Sequence, residues 1–206
     1  MAAGLRELTL GDIVYGLAVP IIVGLVIIAF ALSEPFLAQI NPTLIGIFVF
    51  GVQEVIMTVG VGMLLGLVWN KWAGGASGFL LGSIYALWYS ISGVFSPGWT
   101  RDISLLGYAI SAMLIGYIAG ALSKGSASFP RMLFSGLASG IAGALFLWLT
   151  FQLSPLGLVT GGFGFFVTIT PRITFGILMP VFAKVFMKFG STPKTEGVNA
   201  FLEKST

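Results

Sequence analysis

The chain has 206 residues, 57% hydrophobic and 8% Asp, Glu, Lys or Arg, where a soluble domain carries roughly 25% charged residues. Its mean hydropathy of +1.03 excludes a compact water-soluble domain, which must cover itself with polar groups. The net charge of +3 comes from ten scattered basic residues, which form no nucleic-acid patch. There is no cysteine and no histidine. That removes disulfides, thiol chemistry, histidine general bases and most zinc, copper and haem sites.

Lipid is the solvent that fits such a composition. Backbone groups in lipid must be paired internally, which leaves helices or closed barrels. A barrel would alternate apolar and polar residues in segments of about ten. This chain has long unbroken apolar runs instead. They predict an all-α, polytopic bundle of about six transmembrane helices in one domain, residues 1–190.

The first run covers 13–32. Ala29-Phe30-Ala31 resembles a signal-peptide cleavage site, but the run is too long and its flank is not clearly basic, so it reads as a retained helix. Ser33 to Pro42 is a polar break. The second run, 43–69, holds Gln53 and Glu54 near its middle. Asn70-Lys71-Trp72 is a tight turn before the third run, 74–95. Ser96 to Asp102 is a turn, followed by the fourth run, 103–122. A polar loop with Lys124 leads to the fifth, 132–153. Ser154 to Arg172 is rich in glycine and threonine. The sixth run, taken as 165–189, begins either near Phe163 or at Ile173, since Pro171 suits both a first turn and a kink. Residues 191–206 form a polar tail.

Basic residues set the orientation. Arg6, Lys71, Lys124, Arg131, Lys184, Lys188, Lys194 and Lys204 fall on one side and Arg101 and Arg172 on the other. Both termini are therefore expected in the cytoplasm of a cell-membrane, multi-pass protein. The external loops are then 33–42, 96–102 and 154–172.

Glu54 lies about 16 Å from the outer end of its run. An ionisable group at that depth faces the bundle interior or a cavity. It is a polar contact to a ligand, or a charge partner for a buried base, or else a neutral acid bonded to a neighbouring helix. Arg172 is the natural partner, about 13 Å below the outer edge if its helix starts near Phe163. Gln53 points elsewhere and is expected to bond to another helix. Tyr85, Trp88 and Tyr89 share a face. With Trp99, Tyr108 and Trp148 they make either an interfacial belt or a wall on which a ring stacks. Gly74, Gly78 and Gly82, and Ala112, Gly116 and Gly120, form stripes at four-residue spacing, as do Gly62 with Gly66 and Gly136 with Gly140. Such stripes serve close packing within the bundle or against a partner subunit.

Enzyme readings find no support. Asp12 and Asp102 lie at opposite span edges, acidic residues do not cluster, and no glycine-rich nucleotide loop occurs. No metal or cofactor is expected.

The stretch "LLGLVWNKWAGGASGFLLGSIYALWYSISG" (Leu64–Gly93), with "GYAISAMLIGYIAGAL" (Gly107–Leu122) and "PRITFGILMPVFAKVFMKF" (Pro171–Phe189), resembles the S components of energy-coupling factor transporters. The quoted stretches are compositional textures, and the resemblance in layout covers most of the chain. The resemblance implies a membrane-embedded capture subunit for a vitamin-like small molecule. Its partners would be a membrane coupling subunit and two ATPases. Glu54, Arg172, Tyr85, Trp88 and Tyr89 are then the candidate ligand contacts. The family's Ala-x-x-x-Ala pattern on the first helix is missing here, which shifts the candidate docking surface to Gly74–Gly82. Two alternatives stand beside it: an accessory subunit of a larger membrane complex, and an autonomous small transporter or channel.

Overall fold

The computed structural model describes residues 17–32, 52–91, 103–154 and 161–189. These are helical, and no strand occurs among them. The helices are α1 (Val19–Ala31), α2 (Val61–Val68), α3 (Lys71–Ile91), α4 (Ile103–Ser123), α5 (Phe129–Leu153) and α6 (Gly161–Phe189). A π-helical turn, Ile56–Gly60, leads directly into α2. The amino flank, the 33–42 break, Trp99, Arg101 and the 191–206 tail lie outside the described residues.

Three helices are long and apolar enough to cross a membrane: Leu105–Ser123, Phe129–Leu153 and Gly164–Lys188. The outer faces of α5 and α6 agree with lipid as their solvent. Phe134, Ile141, Leu145, Leu149 and Leu153 are exposed along the whole of α5, as are Phe166, Ile177, Val181 and Phe186 along α6. Water-facing helices do not carry apolar stripes of that length.

Helix boundaries follow local chemistry. Asn70 starts α3, its Oδ1 accepting from the backbone N–H groups of Trp72 and Ala73 at 2.9 and 2.8 Å. The helix therefore begins at Lys71 rather than at residue 74. Asn70→Ala is expected to cost about 1 kcal/mol, the usual worth of such a cap, read as a lower unfolding midpoint in detergent. Lys124 and Gly125 end α4 with φ of 50° and 69°, the left-handed conformation that reverses a chain after a helix. Pro130 lies in the first turn of α5, where its missing N–H costs nothing. The helix starts at Phe129, three residues before the apolar run.

Consecutive helices pack on one another from α3 to α6, and α1 lies against α3. The segment from Val55 to Leu67 is the centre of the bundle. Val55, Val59, Met63 and Leu67 are fully buried toward Ile115, Ala119, Met132 and Ala183. Met57 faces Leu81, Tyr85, Tyr108, Leu147 and Phe151. A helix buried on all sides must be apolar all round, which is why the second run shows no amphipathic period.

The glycine stripes are spent inside this arrangement. A Cβ on Gly74 would stand 2.6 Å from Gly66 Cα and 2.5 Å from Gly116 O. One on Gly82 would stand 2.8 Å from Tyr108 O, and one on Gly120 2.5 Å from Lys71 Cα. Gly78 meets the backbone of Ala112 and Met113. The α2–α3–α4 contact is thus backbone against backbone, as small residues permit in lipid. Gly74–Gly82 is consequently not free to dock a coupling subunit. Between α4 and α5, Ser111 Oγ adds a hydrogen bond to Gly143 O at 2.8 Å.

Candidate functional site

Helix α6 begins at Gly161 and passes through both Pro171 and Pro180. Arg172 is thus a residue of the helix interior, not of an external loop. It lies about 16 Å from the amino-terminal end of a helix of 29 residues at 1.5 Å per residue. No basic residue stands at that end of the helices among the described residues.

At this depth Arg172 Nη2 meets Glu54 Oε1 at 2.8 Å, with side chains 2% and 12% exposed. The two residues are 118 apart in sequence. Arg172 Nη1 donates to Thr168 O, one turn earlier, at 2.9 Å. Its third donor group, Nε, is buried and finds no partner among the described residues. Thr168 was not singled out by sequence; its signal was the i−4 spacing from Arg172.

The local backbone helps to aim these groups. Pro171 has no N–H, so the carbonyl of Val167 loses its helical donor. Thr168 and Thr174 each turn a hydroxyl back to the carbonyl four residues earlier, at 2.9 Å. Across the bundle, Glu54 stands just before the π-helical turn, and Thr58 Oγ1 donates to Glu54 O at 2.8 Å. A π turn widens the helix and redirects the residues around it. Close approach of α5 to α6 completes the seat: a Cβ on Gly140 would stand 2.7 Å from Arg172 O.

Gln53 behaves differently from expectation. It is 1% exposed, and neither its Nε2 nor its Oε1 finds a partner among the described residues. The expected interhelical bond is absent there. Trp148 also buries its indole N–H without a partner among the described residues, while its ring meets Phe165 edge-to-face at 5.3 Å. Buried polar groups are rarely left unpaired, so such atoms mark candidate ligand contacts.

The helix-three aromatics are not a single wall. Tyr85 is fully buried and packs edge-to-face on Tyr108 at 5.1 Å, which in turn meets Phe151 at 5.8 Å. Tyr85 and Tyr108 therefore belong to the core rather than to an interfacial belt, because α3 turns Tyr85 toward α4 and α4 turns Tyr108 toward Tyr85 and Phe151. Trp88 is half-buried, and the Tyr89 side chain lies outside the described residues. No group of three metal-ligating side chains occurs among the described residues.

The site is thus a buried ion pair beside a π turn, in which Arg172 Nε is left without a partner among the described residues. No family model, curated protein or solved structure matches this chain.

Proposed function

We propose that this chain is a six-span membrane protein with both termini in the cytoplasm. In this reading it captures a small ring-containing solute from the outer side and passes it to a separate ATP-driven coupling module, as the resemblance to S components implies. The orientation is supported by Lys71, Lys124, Arg131, Lys184 and Lys188, which gather at one end of the helices.

The observation that carries the capture reading is Gln53. A buried amide without partners costs roughly 1–3 kcal/mol, and a solute offering both a donor and an acceptor would remove that cost. Arg172 Nε and Trp148 Nε1 supply further donors at or outward of mid-depth. A compound bearing carbonyl or carboxylate oxygens fits that set best. The Glu54–Arg172 pair then orients the guanidinium rather than closing the site.

Mass spectrometry of small molecules released from the purified, detergent-solubilised protein tests this. A stoichiometric compound is expected in the wild type and at least tenfold less of it in Gln53→Leu. An empty wild-type protein would overturn the capture reading. The accessory-subunit reading would then take its place, favoured by the ion pair, whose partners neutralise each other within the chain. It predicts co-purification with a fixed membrane partner at constant ratio.

A further inference from the structure

The basic end of the bundle carries an arrangement that solute capture does not use. Cations from α5 and α6 converge on the turn that joins α4 to α5. Arg131 Nε donates to Leu122 O at 3.0 Å, and Lys184 Nζ reaches from α6 to Ala127 O at 2.6 Å. Lys124 stands in the loop itself, exposed, with φ of 50°. A carbonyl oxygen accepts one hydrogen bond from Arg131 and one from Lys184 but neutralises neither charge. Glu54 is the one acidic residue among the described residues, and Arg172 holds it at mid-depth.

Apolar side chains border the cations. Phe134, one turn along α5 from Arg131, is 66% exposed, and Val181 and Val185 flank Lys184 at 46% and 47%. Nearby, Lys71 Nζ lies 5.5 Å from the ring centroid of Trp72 and 5.6 Å from that of Tyr117. Trp72 is 67% exposed. Tryptophan beside cations at the end of an apolar bundle suits the depth of lipid headgroups. Positive charge above exposed apolar surface matches one kind of molecule at both of its ends.

We propose that Lys124, Arg131 and Lys184 bind the phosphate of an anionic phospholipid headgroup, whose acyl chains lie along Phe134, Val181 and Val185. The site rests on the membrane reading but not on solute capture, since it shares no residue with Gln53, Glu54 or Arg172. Basic side chains at a membrane surface each strengthen anionic-lipid binding by about fivefold.

The test is native mass spectrometry of the full chain in neutral detergent, titrated with phosphatidylglycerol, phosphatidylcholine or soluble glycerol 3-phosphate. Phosphatidylglycerol is expected to be retained at least tenfold more tightly than phosphatidylcholine, and glycerol 3-phosphate is not expected to displace it. The triple variant Lys124→Gln, Arg131→Gln, Lys184→Gln is expected to weaken phosphatidylglycerol about a hundredfold. Lys184→Arg, which keeps the charge, is expected to bind like the wild type. Lys124→Gln alone is expected to weaken binding about fivefold, which keeps the test open if the triple variant does not fold. Equal retention of the two lipids, or unchanged affinity in the glutamine variants, overturns the proposal. Displacement by glycerol 3-phosphate at matched concentration also overturns it, and assigns the cations to a soluble phosphate. Flotation with vesicles of pure phosphatidylcholine tests the membrane reading separately, since that lipid has no net charge to attract the cations.

Discussion

Glu54→Leu is expected to lower the free energy of unfolding by about 3–5 kcal/mol, because it strands a buried charge. Arg172 is 2% exposed, and a guanidinium stays protonated in proteins. With Glu54 gone it has no neutral form to adopt and one carbonyl, Thr168 O, to hold it. Arg172→Met is expected to cost less, since the carboxylic acid left behind has a neutral form. The double variant, which removes both charges, is expected to recover most of the loss, as buried ion pairs exchanged for apolar side chains often do. Reversible unfolding in mixed detergent micelles measures all four corners of this cycle. Strictly additive single-variant costs would show that the two side chains do not act as a pair.

Gly116→Ala is expected to destabilise the bundle by about 3 kcal/mol, at the upper end for overpacking. The new methyl would fall within the van der Waals radius of the Gly74 carbonyl and 3.0 Å from Gly62 O. Both obstacles are backbone, so no rotamer change relieves them, and α4 would have to move away from α2 and α3. Gly162→Ala makes the contrast. Nothing among the described residues lies within 4 Å of a Cβ there, and its φ is not positive. Alanine also favours a helix over glycine by about 1 kcal/mol. That variant is expected to be neutral or more stable. Equal melting temperatures for the two variants in one detergent would contradict the backbone-packed seam between α2, α3 and α4.

The helical class was legible because composition leaves so few choices in lipid. Glu54 stood out as the one acid within the second apolar run. Arg172 could be placed only conditionally, since Pro171 is compatible with a helix start and with a helix interior. The start of α6 at Gly161 puts it at the depth of Glu54. Glycine spacing revealed which face of each helix is small, but not which face meets it. That depends on three helices closing together, as Gly66, Gly74 and Gly116 do. The burial of Tyr85 was hidden for the same reason: a tyrosine near a helix end serves a belt and a core equally well until the neighbouring helices are known. Gln53 was misjudged because any polar residue in a span invites a partner by default, and a sequence does not show whether one stands within reach.

The π turn at Ile56–Gly60 had no signature at all, and it bears on how such a site could arise. A π turn corresponds to one residue more than an α-helix needs over the same rise. Without that residue the chain from Val61 onward would keep its place among α3, α4 and α6. Everything before it would rotate by about 100° around the helix axis, and the carboxylate at 54 would leave Arg172. An acid at this position is therefore of use to the arginine only in a lineage that already carries the extra residue. Any relative with a plain α-helix here should hold its arginine, if it has one, by some other group.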